Sequence, residues 1–241
     1  MDNNTVYEWI LQSTFTVSNR IKSLYLMLPY LSPLIRAGDE VLDLCCGSGP
    51  MAFWFEEQGA QATGIDFAPY MIALAREEAS RRNSSVEFVE ADIFTYDLGQ
   101  GRYDLVSCFG NSISDFPLSD YARMVKLVFR ALKSGGRFAL QYHDGSFGTL
   151  QGKAARFGVY QESPERITYR FKEYLPEIGA CVNTIRNETQ GQEYDRKGYI
   201  YTVPVVRLIT SSSLKLEQHI LLEENHFLDI FICNGREDGS P

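Results

Sequence analysis

Residues 41–49 read VLDLCCGSG, an apolar strand that carries one acid, Asp43, and breaks into a turn at Gly47 and Gly49. A strand that enters a glycine turn and then a helix sets bare backbone and a helix N-terminus beside a ligand, as nucleotide-binding α/β folds do. Asp43 narrows the ligand. A carboxylate four residues before the first glycine repels a dinucleotide pyrophosphate, yet it suits a molecule carrying an ammonium and a sulfonium centre.

Outward from this stretch the hydrophobic period alternates regularly. Strand 41–45, helix 50–58, strand 61–65, helix 69–82 and strand 86–90 make two βαβ units. Tyr103 to Phe109 reads as a fourth strand, Leu118 to Leu132 as a helix, KSGG as a turn and Arg137 to Tyr142 as a fifth strand. Ahead of the first strand, Tyr7 to Phe15 and Ile21 to Leu31 have helical patterning interrupted by Pro29 and Pro33. After Asp144 the period changes to three alternating segments, Ile167 to Tyr174, Cys181 to Asn187 and Glu193 to Thr202, separated by the turns PEIG and TQGQ. A helix from Pro204 to Ser211 and a strand pair, Leu214 to Leu222 with Phe227 to Cys233, close the chain. The expected fold is α/β: a Rossmann-like, seven-stranded, mostly parallel sheet ending in an antiparallel hairpin. Its expected parts are an N-terminal helical cap over 1–40, a cofactor-binding domain over 41–145 and 204–236, and an inserted antiparallel lid over 146–203.

A chain of 241 residues suits one main core with an insertion. A net charge of −8 offers no basic field for a phosphate backbone, so a nucleic-acid partner is not expected and a small-molecule acceptor is. The opening MDNNTVYEWILQS lacks a basic region followed by a long apolar run, and no stretch reaches membrane-spanning length, so a cytoplasmic protein without a membrane partner is expected. Cys45, Cys46, Cys108, Cys181 and Cys233 are odd in number and sit mostly in apolar runs, which reads as reduced, buried thiols. No metal site is expected: Cys45 and Cys46 are adjacent on a strand, and His219 and His226 lack ligand spacing.

These residues resemble the class I S-adenosylmethionine-dependent methyltransferases from about Val41 to Asp144, and the closing strand pair fits as well. The resemblance implies that Asp43, Cys45, Gly47, Ser48 and Gly49 lie against the methionine part of S-adenosylmethionine, with Cys45 standing where many members have glycine. GIDFAPYM supplies Asp66 for the ribose hydroxyls, with Phe67 and Met71 flanking the adenine. FVEADIF supplies Asp92, with Ile93, for the adenine amino group, and CFGNSIS supplies Phe109, Gly110 and Asn111 beneath the methionine. Each piece alone is common, and a strand-end acid such as Asp66 or Asp92 also serves as a helix N-cap. Their joint order and spacing carry the reading.

The resemblance implies an enzyme that moves a methyl group to a small metabolite by direct in-line displacement, with nitrogen the leading acceptor atom and oxygen the alternative. Tyr142 and His143, at the C-terminal end of the fifth strand, are the candidate catalytic residues: His143 to accept a proton or orient the acceptor, Tyr142 to cover the methyl group. Asn111 opens on the same mouth. In the insertion, Arg170, Tyr174 and Tyr199 are candidate substrate contacts, and period two sets Arg170 and Tyr174 on one face. The insertion is similar in architecture to those of glycine and amino-sugar N-methyltransferases, and its free edges invite a homodimer. Two other classes remain open at this point. Gly47, Gly49 and Ala52 also satisfy a looser nicotinamide-dehydrogenase pattern, and a non-catalytic cofactor-binding subunit would keep the same fold.

Overall fold

The computed structural model describes residues 26–146, 158–160, 167–188, 191–223 and 225–235. Five parallel strands, β1 (Glu40–Leu44), β2 (Gln61–Asp66), β3 (Glu87–Glu90), β4 (Tyr103–Cys108) and β5 (Leu132–His143), form one sheet with the antiparallel pair β10 (Lys215–Glu223) and β11 (His226–Ile232). The order across it is β3-β2-β1-β4-β5-β11-β10, so the chain reverses direction of travel between β1 and β4. Open α/β sheets bind ligands at the carboxyl ends of the strands flanking such a switch.

Strand β1 is apolar without alternation because both of its faces are covered. Leu42 and Leu44 pack with helix α3 (Leu118–Ala131) on one side; Val41 joins Phe53 and Phe55 of helix α1 (Pro50–Glu57) on the other. Helix α3 presents Tyr121, Met124, Val125 and Val128 to the sheet at spacings of three and four. Full burial of each such side chain contributes about 1.5–3 kcal/mol. Helix α2 (Pro69–Arg82) buries Met71, Ile72 and Ala75 in the same manner and ends at Asn83, which adopts a left-handed conformation. Ahead of β1, residues 26–31 are helical and bury Met27 and Leu31; the expected helix over Tyr7 to Phe15 lies outside the described residues.

The KSGG segment is not a separate turn. It lies inside β5, where pairing with β4 jumps from Leu132 opposite Tyr103 to Arg137 opposite Leu105. The neighbouring chain captures the excess residues: the Gly135 N–H donates to the Cys233 carbonyl and the Cys233 N–H to the Gly136 carbonyl, each at 2.8 Å. With those groups paired, the strand extends back to Leu132.

Strands β6 (Gly158–Tyr160), β7 (Ile167–Leu175), β8 (Ala180–Asn187) and β9 (Gln192–Tyr199) form a second, antiparallel sheet in that order. Its exit from β5 and its return to helix α4 (Val203–Thr210) are fastened to each other. Asp144 Oδ2 accepts from the Val203 N–H at 3.1 Å, and the Gly145 N–H donates to the Tyr201 carbonyl at 2.7 Å. The buried Tyr201 hydroxyl then donates to the Phe116 carbonyl at 2.9 Å.

One expectation for this sheet fails. Arg170 lies opposite Thr184 and Tyr174 opposite Cys181, with a bulge between Phe171 and Glu173. Thr184 and Cys181 are an odd number of residues apart on regular β8, so the bulge turns Arg170 and Tyr174 to opposite faces.

Candidate active site

The turn after β1 is held by an acid of β2. Asp66 accepts from the Gly47 N–H through Oδ2 at 2.8 Å and from the Ala68 N–H through Oδ1 at 2.9 Å, which fastens the glycine turn to the start of α2. Asp66 is 8% exposed. Below it, the buried Asp43 carboxylate takes the Ser107 hydroxyl of β4 at 2.7 Å, a pairing set by the strand register. A buried carboxylate requires such donors.

Gly49 begins α1 at φ 80°, and a Cβ there would stand 2.4 Å from the Phe88 ring. The glycine is therefore required by packing as well as by conformation. Cys45 takes φ 55° although it is not glycine. Strand β1 ends at Leu44, so the alternation expected to send Cys45 and Cys46 to opposite faces does not apply. A hydrogen bond with Cys108, reinforced by burial, holds the Cys45 thiol well above its ordinary pKa.

A cavity of about 630 Å³ opens beside this turn. Cys45, Asp66, Phe67, Asp92 and Ile93 line its floor. Asp92 Oδ1 accepts from the Phe94 N–H at 2.9 Å, so its local turn role and its place in the cavity coexist. The opposite wall comes from the turn after β4 and from β9: Asp115, Phe116 and Asp120 face Asp195, Arg196 and Tyr199. Arg196 reaches across to Asp115 at 2.5 Å and ties β9 down at that wall.

Other expected residues stand elsewhere. Met71 is buried in α2 against Ala68 and does not line the cavity. Phe109, Gly110 and Asn111 follow β4 at the adjoining strand ends, and Ser48 lies in the turn between Gly47 and Gly49. Arg170 and Tyr174 are solvent-exposed, with Arg170 3.9 Å from Glu193. The Tyr142 ring is fully buried in the apolar cluster that also holds Ile93; its hydroxyl donates at 2.9 Å to Asp229, which also pairs with His219. Burial and the Asp229 charge push the Tyr142 pKa up. Tyr142 therefore anchors the sheet and does not line the cavity. His143 stacks on His226 with ring centroids 3.7 Å apart. Burial first, and the neighbouring His226 second, bring the His143 pKa down to about 4. Its imidazole is neutral at physiological pH.

Sequence reading missed Gln141. This residue is 4% exposed, and its Oε1 accepts from the Gly110 N–H at 2.7 Å and the Asn111 N–H at 3.1 Å. Asn111, left-handed at φ 58°, returns the tie by accepting from the His143 N–H through Oδ1 at 3.0 Å. A glutamine inside the apolar run FALQYH was the available signal.

Residues 41–136 match the methyltransferase domain family. The demethylmenaquinone methyltransferase of Thermus thermophilus is 36% identical over 154 residues, an alignment covering 56% of this chain and 68% of that protein. The chain belongs to the methyltransferase family. It is a class I methyltransferase, an enzyme whose cofactor is S-adenosylmethionine, and the nicotinamide-dehydrogenase alternative falls. The alignment spans 57% of the corresponding Deinococcus radiodurans protein and 62% of this chain at 32% identity. Phosphoethanolamine N-methyltransferase of Triticum aestivum is 26% identical over 206 residues, covering 85% of this chain and 36% of that protein. Among solved structures, a Pyrococcus horikoshii protein has the same fold with a TM-score of 0.76 at 21% identity, over 93% of this chain and 96% of that one. The chemistry of the cavity lining suits such a cofactor: Asp66 and Asp92 offer carboxylates able to accept from hydroxyl and amino groups, and Phe67, Ile93 and Phe94 offer apolar surface for a flat ring.

Proposed function

We propose that this methyltransferase acts on a small metabolite and methylates it at nitrogen. Asp66 would hold the ribose of S-adenosylmethionine, Asp92 and Ile93 its adenine, and Asp43 with the turn from Cys45 to Gly49 its amino-acid end. The cofactor supplies an electrophilic methyl group on a sulfonium. The protein's part is to align the acceptor, exclude water and favour an acceptor that arrives uncharged.

The observation that carries the nitrogen reading is the His143 pKa of about 4. An imidazole so poor in proton affinity is a weak general base at neutral pH, and a phenol or alcohol needs a base more than a free amine does. We assign His143 an orienting role. The cavity wall supports the same acceptor class: Asp66, Asp92, Asp115, Asp120 and Asp195 outnumber Arg196 and Lys197, which disfavours a phenolate or carboxylate acceptor. The wheat N-methyltransferase is also a relative whose alignment reaches through the inserted strands.

Oxygen is the second reading, favoured by the ubiquinone biosynthesis O-methyltransferase of Pectobacterium atrosepticum, 30% identical over 131 residues. We assign the inserted sheet the role of a lid whose Tyr199 faces the acceptor, with a homodimer through its free edge as a further expectation. No helix among the described residues is long and apolar enough to cross a membrane.

The experiment is S-adenosylhomocysteine release from the purified protein given S-adenosylmethionine and a panel of small amines, amino acids, amino sugars, phenols and carboxylic acids. Turnover with amines supports the proposal. Turnover confined to phenols assigns oxygen, and cofactor binding without turnover across the panel returns weight to a binding subunit.

A further inference from the structure

Two thiols meet at the floor of the cavity, and the proposed methyl transfer uses neither. Cys45 lines the cavity beside Asp66. Its predecessor Leu44 lies opposite Cys108 in the pairing of β1 with β4, and Cys45 packs against the apolar cluster that contains Cys108. The chain turns left-handed at Cys45, φ 55°, where the thiol forms its hydrogen bond with Cys108. Cys46 takes no part: its thiol donates to the Gly47 carbonyl at 3.5 Å, and its side chain packs in the other cluster. All five cysteines are free of disulfides. A thiol is a weak hydrogen-bond donor, whereas a side chain at positive φ is strained, so stability alone does not account for a cysteine where glycine fits without strain. Strain of this kind beside a cavity points to chemistry.

We infer that Cys45 and Cys108 form an oxidation site: hydrogen peroxide joins them in a disulfide, and the disulfide and the bound cofactor exclude each other. The exclusion rests on the reading that the turn from Cys45 to Gly49 holds S-adenosylmethionine. In the first step the Cys45 thiolate attacks one peroxide oxygen, the O–O bond breaks, and hydroxide leaves a sulfenic acid on Cys45. The Cys108 sulfur then attacks the Cys45 sulfur, the S–O bond breaks, and water departs with the Cys108 proton. Two thiols and one peroxide thus give one disulfide and two waters. The Cys45 thiol must ionise first, and its raised pKa makes the reaction slow at neutral pH and faster as pH rises.

The exclusion follows from what can move. A disulfide holds its sulfurs about 2.05 Å apart, closer than a hydrogen bond does. Cys108 is fixed, because it ends β4 between Leu44 of β1 and Leu140 of β5. The turn therefore yields. Its ties are the Cys46 N–H to the Ile65 carbonyl at 3.0 Å and the Gly47 N–H to Asp66 at 2.8 Å, and drawing Cys45 toward Cys108 pulls on both. Coupling is reciprocal, so a cofactor seated on the turn disfavours the disulfide.

The test treats the purified protein with hydrogen peroxide at about pH 7.5 and about pH 9, with and without S-adenosylhomocysteine. Peptide mapping after alkylation locates any link. Calorimetry with S-adenosylhomocysteine is run before oxidation, after it, and after reduction with dithiothreitol. The expected result is a link between Cys45 and Cys108 that forms faster at the higher pH and several-fold slower with S-adenosylhomocysteine present. The linked protein should bind S-adenosylhomocysteine about tenfold or more weakly, and dithiothreitol should restore the affinity. Cys108→Ser should abolish both the link and the reversible loss; mapping of the wild-type protein decides the matter even if that variant misfolds. Absence of the link, or a link through another cysteine, overturns the inference. A link between Cys45 and Cys108 that leaves the affinity unchanged overturns the exclusion. Failure of the reduced wild-type protein to bind S-adenosylhomocysteine overturns instead the cofactor reading beneath it, and the oxidation site then stands or falls on the mapping.

Discussion

Asp66 Oδ2 accepts the Gly47 N–H at 2.8 Å, so the acid at the end of β2 fastens the glycine turn that follows β1. Shape of the turn and the proposed hold on the cofactor ribose thus depend on one carboxylate. Asp66→Ala is expected to lower S-adenosylhomocysteine affinity by at least about tenfold and stability by about 1–2 kcal/mol. Calorimetry and urea unfolding measure the two; affinity equal to wild type would remove Asp66 from the cofactor site.

Gly49→Ala meets the Phe88 ring at 2.4 Å and must hold φ 80°. A loss of about 2–4 kcal/mol is expected from overpacking and backbone strain together. Adding Phe88→Leu should recover part of it, and a double-mutant cycle by thermal unfolding isolates that steric share.

Cys45 holds a left-handed φ of 55° with a side chain attached. Cys45→Gly relieves that strain and is expected to alter stability by no more than about 1 kcal/mol, the lost Cys108 contact offsetting the gain. Cys45→Val, branched at Cβ, should lose about 2 kcal/mol or more. Equal melting temperatures for the two variants would show that the backbone had left this conformation.

His143 has its pKa lowered from 6.5 to about 4 in the folded chain. Between those values the unfolded chain binds more protons, so stability rises with pH. This contribution is fully present above about pH 6.5 and is lost as pH falls toward 4. Denaturant titrations from pH 7.5 to 4.5 should show the loss, with a smaller slope for His143→Gln. The same substitution is expected to leave the shape of the activity profile above pH 6 unchanged, because the ring is already neutral throughout that range.

Arg196 of β9 joins Asp115 across the cavity wall at 2.5 Å. Arg196→Ala should speed S-adenosylhomocysteine dissociation several-fold in stopped-flow measurements, and the exchanged pair Arg196→Asp with Asp115→Arg should restore part of the slower rate. Identical rates in all three proteins would mean that this pair does not hold the wall.

The sheet and the cavity floor were legible because their signals are local. A run such as VLDLCCGSG states its own strand, acid and turn within a few residues, and GIDFAPYM does the same for Asp66. What the sequence hid depends on distance or on a single inserted residue. Arg196 and Asp115 are 81 residues apart, and nothing near either names the other. The bulge in β7 reverses the side on which Tyr174 stands, and strict alternation cannot register it. Tyr142 is a similar case: its partner Asp229 lies 87 residues away, and nothing local in the sequence names it.

The inserted strands leave β5 and return to α4 at points fastened through Asp144, Gly145 and Tyr201. An excursion that begins and ends at one place imposes little loop-closure cost on its host, and that cost grows only slowly with length. The seven-stranded sheet is therefore a socket. Cassettes of other lengths and linings can be grafted between residues 145 and 201 with the sheet and the cavity floor left as they stand.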